Sequence, residues 1–469
     1  MTRNGIGAAI STLAIAVVIN ASVCWAVFHW VWARNAGAAA LLVYMLVELR
    51  QTSPGGRKML VAATLAALAA ITFLPNPESV LIKGMAEASF VVGLFTSLGM
   101  LRDSAQSSPL IRRCGEQMVR QRPGRRYAAL ALGSHLISLV LNFGVLPLLG
   151  VMIAKGNTLK AASGDEIVKG IRKRRMMTAI LRGFAMMTVW SPLAVSFAVT
   201  QQVMPQLPWW QLLPLQWLLS LILMLLGWVM DRIDFPPHTR RLPPHRHKTD
   251  FRPIVKLISL VSAVVVSAVA IAALLDVRLV IGAMIVVPPA AVAWLMVQQS
   301  GPPLTRALTT TLLFTRRLTV SLPGFRYEVA MLGGAMFLGT VVAAFVSPED
   351  TARVIALIPL PPILIMILLA WSVMVAAQFG ISQFVSVTLV GSALGTLAGT
   401  GIHPLVLASG LMGAWGLSVC STPVGAAVLT VARLSEVPIK VVSKDWNRRF
   451  VMAGAALLAV WMLVLSLIL

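Results

Sequence analysis

Trp190-Ser191-Pro192-Leu193 interrupts one long apolar segment of the chain, and Ser421-Thr422-Pro423-Val424 interrupts another. Proline has no backbone N–H to donate and its ring clashes with the preceding helical turn, so each stretch should break a helix. A broken helix leaves N–H and C=O groups unpaired, which is costly inside a membrane unless a ligand or an ion uses them. The two stretches therefore predict a binding site formed by two interrupted helices.

The rest of the chain has the composition of a membrane protein. Of its 469 residues, 58% are hydrophobic and 12% are charged, and the mean hydropathy is +0.85. Its apolar segments reach the ~20 residues that a helix needs to cross the hydrocarbon, and its polar stretches are too short to form a soluble core. We predict an all-α polytopic membrane protein.

The net charge of +23 comes from basic clusters that lie between the apolar segments. Clusters in these positions indicate cytoplasmic loops rather than nucleic-acid binding. The apolar segment that follows Arg3 is too long for a signal-peptide core, so we interpret it as a retained span. The expected location is the bacterial inner membrane, with several passes and a cytoplasmic N-terminus. The basic loops expected on the cytoplasmic side are 50–58, 102–126, 155–175, 231–252, 298–326 and 433–449.

Residues 127–154 form an apolar segment with a strongly basic loop on each side. A single crossing cannot begin and end on the same side of the membrane, whereas a re-entrant hairpin can. Irregular backbone at that depth is tolerated where protein or a water-filled cavity satisfies it. We therefore predict a re-entrant hairpin at 127–154.

An internal repeat is indicated by similar motifs in the same order. Gly133-Ser134 recurs as Gly391-Ser392, Gly144-Val-Leu-Pro147 as Gly401-Ile-His-Pro404, and the two Ser/Thr-Pro breaks follow. Paired interrupted helices at matching positions of two halves point to a transport site. The alternative is that Gly, Ser and Pro are simply common in membrane helices. The predicted organisation is a first repeat (1–230, hairpin 127–154, broken helix 177–203), a basic Pro/His linker (231–252) and a second repeat (253–469, hairpin 381–408, broken helix 409–432).

Two halves of this kind resemble the ion transporter superfamily, which includes divalent-anion/sodium symporters and the large subunits of binding-protein-dependent dicarboxylate transporters. The resemblance covers roughly 127–203 and 381–432. It implies an inverted repeat and an elevator-type symporter, often a homodimer, that holds its substrate between two hairpin tips and two broken helices. Neither tip carries the Ser-Asn-Thr of the symporters, which departs from the pattern for sodium coupling. The substrate- or ion-binding residues implied are Asn142, Gly144, Ser191, Pro192, Thr400, Gly401, His403, Ser421, Thr422 and Pro423.

Four further polar residues could provide coupling or a counter-charge. Lys83 and Glu87 are four apart on one helical face and either neutralise each other or form part of a proton relay. Arg182 either balances a substrate anion or extends to the membrane surface. His135 is either a proton carrier or a packed helix residue, and His403 is the stronger candidate for proton coupling.

Three further histidines, His238, His245 and His247, lie in the basic linker and are expected to be solvated rather than to bind a metal.

These features predict a secondary active transporter of a small anion, an organic acid in the first place, driven by a proton or sodium gradient. A neutral oxyacid and a lipid headgroup are the alternative substrates. The alternative functions are a membrane subunit of a larger uptake complex and an enzyme acting on lipid-linked substrates. The motifs and paired carboxylates that an enzyme would need are absent from the sequence, so we expect no enzymatic activity and no cofactor beyond Na⁺ or H⁺.

Overall fold

The chain folds into helices with short connections. The computed structural model describes residues 5–236, 250–345, 353, 355, 357–394 and 401–469, and no strand occurs within these ranges. The helices are α1 (Gly5–Phe28), α2 (Val31–Glu48), α3 (Pro54–Phe73), α4 (Pro77–Gln106), α5 (Pro109–Val119), α6 (Pro123–Leu141), α7 (Val145–Gly156), α8 (Glu166–Trp190), α9 (Val195–Val203), α10 (Trp209–Asp234), α11 (Arg252–Leu274), α12 (Leu279–Gln298), α13 (Pro303–Gly324), α14 (Arg326–Ala343), α15 (Pro362–Gln378), α16 (Gln383–Leu394), α17 (Pro404–Ser421), α18 (Ala426–Ser435) and α19 (Arg448–Ile468). Within the described ranges, 10 helical segments are long and apolar enough to cross a membrane, when Gly124–Gly156, Glu166–Val203 and Pro404–Ser435 are each counted as one segment. The prediction of an all-α polytopic membrane protein is confirmed.

Helices α4 and α14 form an antiparallel pair at the centre of one part of the molecule. Phe337 of α14 contacts Gly84 near the start of α4, and Phe325, which precedes α14, contacts Gly99 near its end. The ring of Phe325 also meets Phe95 edge-on, with centroids 5.4 Å apart. Because glycine has no side chain, each large ring lies directly against the backbone of α4.

Helices α6 and α7 fold back on each other. Met118 of α5 contacts Gly133 of α6, whereas Gly115 of α5 contacts Leu149 and Met152 of α7. In one straight helix, residues 133 and 149 would be about 24 Å apart, yet both touch the same turn of α5. The chain must therefore reverse direction between α6 and α7.

Helices α15 and α16 form a second fold-back. Thr422 donates a hydrogen bond to the carbonyl oxygen of Ala377 at the end of α15 (2.8 Å). Seven residues later, Phe384 of α16 meets Trp415 edge-on, with centroids 4.8 Å apart. Trp415 lies about two turns before Thr422, so α16 runs back along α17.

The second hairpin was predicted at 381–408, and the described residues correct its position. Pro404–Ser421 is one uninterrupted helix, so the predicted boundary between a hairpin ending at 408 and a broken helix starting at 409 does not exist. Gly401-Ile-His-Pro404 leads into this helix, and Pro404 is its first residue. Proline is well suited to that position in a helix. Residues 395–400 lie outside the described residues.

The predicted basic loop 298–326 contains a helix. Three of its four arginines lie on α13, and two of them, Arg306 and Arg317, lie opposite a face that exposes Leu304, Leu308 and Leu312. A charged face opposite an exposed apolar face is typical of a helix lying in the membrane interface. A bend of 57° at Phe325 then turns the chain from α13 into α14.

The packing of α6 on α8 provides a stability test within one helix. A side chain added at Gly183 of α8 would collide with the carbonyl oxygen of Ala131, whereas the same change at Gly170 of α8 meets open space. We expect Gly183→Ala to destabilise the folded protein by about 1–3 kcal/mol, because the backbones must separate. Thermal unfolding in detergent measures this, with Gly170→Ala as the matched control. Equal melting temperatures for the two variants would contradict the close contact between α6 and α8.

Candidate functional site

Two helices are broken where the Ser/Thr-Pro stretches occur. Helix α8 ends at Trp190 and α9 begins at Val195, while α17 ends at Ser421 and α18 begins at Ala426. The residue that follows the last helical residue is Ser191 in the first case and Thr422 in the second. Both have extended backbone, with ψ of 130° and 125°. The sequence prediction of where these helices stop is therefore reproduced by the backbone.

The two broken helices cross close to their breaks. A side chain at Gly416 of α17 would collide with Val189 of α8, so the glycine allows the helices to touch. Arg182 of α8 lies within electrostatic range of Cys420 of α17. Arg182 precedes Val189 on α8, whereas its neighbour Cys420 follows Gly416 on α17. The two helices are therefore antiparallel, and their breaks lie on either side of the point where they cross.

The breaks expose backbone donors. The amide of Leu193 bonds to the Ser191 hydroxyl oxygen (3.1 Å), and the amide of Gly425 bonds to the carbonyl of Thr422 (3.3 Å). The first-turn amides of the two helices that follow find no acceptor among the described residues, and such groups attract anions. These amides belong to Val195, Ser196 and Phe197 in α9 and to Ala426, Ala427 and Val428 in α18.

The first fold-back turns at Asn142-Phe143-Gly144. Asn142 has a φ of +48° and a ψ of −128°, a backbone conformation that residues with a side chain rarely adopt. Its side chain is half-buried. Gly144 lies beside α4, where a Cβ would be 3.6 Å from the amide nitrogen of Gln106 and 3.9 Å from Cδ of Arg102. A side chain at Gly144 would fit, so the structure does not show the close approach for which this glycine was predicted.

The second fold-back turns at Gln378-Phe379-Gly380, and the sequence analysis missed it. Gly380 has a φ of +85°, which glycine adopts without strain. The side-chain amide nitrogen of Gln378, Nε2, donates a hydrogen bond to the hydroxyl of Ser421 (3.0 Å), so this turn contacts the second break. A shared pattern could have predicted this turn. An amide residue followed by Phe-Gly ends an apolar helix at Asn142 and again at Gln378.

Each returning limb contacts the other half of the chain. Gly150 of α7 lies against Leu434 of α18, and Gly391 of α16 lies against Val203 of α9. Thus the limb that follows each turn packs on the helix that follows the opposite break. The two turns and the two breaks consequently belong to one packed unit.

The second predicted tip lies away from this unit. Gly401 has a φ of +72° and contacts Pro362 at the start of α15, and His403 is exposed. The whole of α17 separates them from Ser421, a distance of about 27 Å along the helix. Thr400, the third residue of that prediction, lies outside the described residues.

The remaining predicted residues lie at the breaks. Ser191, Pro192, Ser421 and Thr422 are buried, and Pro423 is half-buried. Ser191 and Ser421 each accept a hydrogen bond within the protein, and Thr422 donates one, so their hydroxyl groups hold the break geometry.

His135 is buried between two partners. Nδ1 lies 3.2 Å from the carbonyl oxygen of Gly183, and Nε2 lies 3.0 Å from the indole nitrogen of Trp190. A carbonyl requires a donor at Nδ1 and an indole N–H requires an acceptor at Nε2, so the arrangement matches one neutral tautomer. A second proton on the ring would break the bond to Trp190, which favours the packed role over proton coupling.

Arg182 is 7% exposed and links several helices. Its guanidinium lies 4.4 Å from the ring centroid of Phe450 in α19. Because the side chain is buried and already bonded, little of the guanidinium remains for a substrate anion to approach. The acceptors of its hydrogen bonds are all neutral. They are Asn447 Oδ1 (3.0 Å), the Tyr127 hydroxyl (3.2 Å), the Trp446 carbonyl (3.1 Å) and the Gly227 carbonyl (3.5 Å).

Glu87 lies away from the breaks, on α4. Its carboxylate interacts electrostatically with Arg278 and with the exposed Lys83, and Oε2 has no hydrogen-bond partner among the described residues. Arg278 donates to the Gln201 carbonyl (3.3 Å) and to Gln202 Oε1 (3.2 Å) at the end of α9. Burial lowers the pKa of Arg278, and the charge of Glu87 opposes this shift. The pair therefore connects α4 to the far end of α9.

A groove of about 910 Å³ runs between α5 and α7. It extends from Pro147, beside the first turn, to Lys155 near the base of the hairpin, and Arg112 and Arg120 also line it. Its basic lining suits an anion. Among the described residues, no group of three or more His, Cys, Asp or Glu side chains could hold a metal, and the three linker histidines lie outside those residues.

The helices, fold-backs and breaks define a polytopic α-helical membrane protein with a transporter-like fold. The particular likeness is to the YdaH transporter of Alcanivorax borkumensis, with a TM-score of 0.50 and 13% identity over 87% of this chain and 98% of that chain. The chain matches no protein-family model and no curated protein sequence. At this identity the likeness concerns the fold, and membership of the ion transporter superfamily stays a prediction.

The contacts of Arg182 predict a structural role. Arg182→Gln should lower the free energy of unfolding by at least about 2 kcal/mol, since it removes charged hydrogen bonds from buried partners. Thermal unfolding of the purified protein measures the change, and Arg113→Gln, on the exposed face of α5, is the control. A variant that melts like the wild type but has lost solute uptake would instead support the counter-charge role.

Proposed function

We propose that the protein is a secondary active transporter of a small organic anion. The observation that carries this proposal is the pair of broken helices whose free first-turn amides lie beside a fold-back from each half. Helix N-termini stabilise negative charge. Carboxylates, which a bare cation would require, are absent from residues 139–146, 188–198, 376–384 and 418–428.

The orientation supports an inverted repeat. By the positive-inside rule, the basic loops before α6 and α8 favour a cytoplasmic start for both helices, and the first hairpin would then enter from that side. The basic loop 433–449 follows α18, so α17 and α18 run from the outside to the cytoplasm. Because α15 runs parallel to α17, the hairpin α15–α16 enters from the outside. The antiparallel crossing of α8 and α17 agrees with this arrangement.

An elevator mechanism is the movement that suits such a unit. Each returning limb contacts a helix of the opposite half, so the turns and breaks should move together against the α4–α14 pair. The electrostatic interaction between Glu87 and Arg278 lies between these parts and is the candidate for proton coupling. The hydroxyl and amide oxygens at the breaks are the candidates for sodium coupling. The homodimer, the inner-membrane location and the cytoplasmic N-terminus remain predictions.

Uptake of labelled mono- and dicarboxylates into proteoliposomes tests the function. We expect uptake that depends on a proton or sodium gradient and that competes among organic anions. Asn142→Ala and Gln378→Ala should each reduce the uptake rate at least about tenfold, because a lost polar contact in a dry site costs about 1.4 kcal/mol or more. Both variants should remain monodisperse and melt within a few degrees of the wild type.

Gln299→Ala provides the control, since Gln299 follows α12 and lies outside the turns and breaks. Wild-type rates and affinities in both amide variants would show that the site is misplaced. Uptake of cations alone would refute the anion proposal. Activity that appears only with an added soluble binding protein would favour the alternative, a membrane subunit of a larger uptake complex.

A further inference from the structure

A dense group of arginines lies where the starts of α6 and α8 meet the end of α10. Arg232 of α10 donates to the Gly124 carbonyl of α6 (3.0 Å), which brings these two ends together. Arg126 is 9% exposed and lies within electrostatic range of both Arg172 and Arg175 of α8. Several positive charges are therefore held side by side, which is unfavourable without an anion.

The two carboxylates of α10 are each already paired with an arginine. Asp231 is held by Arg175 through two hydrogen bonds of 2.9 and 2.7 Å, and Asp234 is held by Arg449 at 2.6 Å. Arg126 donates to a neutral group, the carbonyl of Gln121 (2.9 Å). Among these described side chains the arginines outnumber the carboxylates, since Arg126, Arg172, Arg175, Arg232 and Arg449 lie near only Asp231 and Asp234.

The group lies at the edge of a lipid-facing surface. Leu225, Val229 and Ile233 form one exposed apolar face of α10 that runs up to the arginines. Trp228 lies beside this face, and the guanidinium of Arg232 is 5.2 Å from its ring centroid. Tryptophan is enriched where hydrocarbon meets headgroups, and this contact therefore favours a position of the arginines near lipid phosphates.

We infer that Arg126, Arg172 and their neighbours bind the phosphate of an anionic phospholipid headgroup. Arginine matches phosphate oxygens in charge and geometry. Basic pockets between transmembrane helices on the cytoplasmic side are suited to such headgroups. The exposed face of α10 would contact the acyl chains, which favours a lipid over a free phosphate ion. The site is separate from the turns and breaks, so it stands or falls independently of the transport proposal.

Titration of the purified full-length protein in detergent tests the inference. Phosphatidylglycerol should raise the melting temperature saturably, whereas phosphatidylcholine should not. Arg126→Gln and, separately, Arg172→Gln should each weaken phosphatidylglycerol binding about fivefold. Arg113→Gln, on the exposed face of α5, is the charge-matched control and should bind as the wild type does. Arg172 is only half-buried, so its variant decides the question if Arg126→Gln fails to fold.

Three results would overturn the inference. Equal stabilisation by phosphatidylcholine would show that the effect is not one of charge. A matching shift with inorganic phosphate alone would show a site for a soluble anion. Unchanged phosphatidylglycerol affinity in a folded Arg172→Gln variant would place the lipid elsewhere.

Discussion

The hydrocarbon of a membrane offers no hydrogen-bond partners, and the rest of this fold depends on that constraint. Regular helices satisfy it within themselves, so irregular backbone persists only where protein or water surrounds it. The breaks at Ser191 and Thr422 meet this requirement because α8 and α17 cross beside them and both are buried. The hydroxyl of Ser191 then accepts from the backbone amide of Leu193, and the hydroxyl of Thr422 donates to the carbonyl of Ala377.

Close helix contacts make this arrangement compact. Glycine at 183, 416, 391 and 150 lets one helix lie directly against a partner's backbone or side chain. Small residues have this function in membranes, where the hydrophobic effect contributes little to helix association. Arg182 adds polar contacts that link α6, α8, α10 and the residues just before α19, all through neutral acceptors.

Sequence reasoning was most successful where one residue decides the local backbone. The two prolines predicted where the helices break. The basic clusters on either side of residues 127–154 predicted a reversal of the chain, and the turn at Asn142 lies within that segment. The second fold-back was missed because its outer loops carry no comparable basic clusters. Gly401-Ile-His-Pro404 was interpreted as a hairpin tip, but it leads into a continuous helix that begins at Pro404. Proline is also common at the first position of a helix. Contacts such as Gln378 with Ser421 join residues far apart in sequence, so no local pattern could predict them.

The crossed packing of the returning limbs has a consequence for how the chain can fold and evolve. Each limb rests partly on the opposite half, because Gly150 lies against Leu434 and Gly391 lies against Val203. A separated half would lose that contact beside its unpaired backbone, so each half contributes to the stability of the other. A substitution that suits one limb must be accommodated by the opposite half, and the two sequences are therefore constrained to change together.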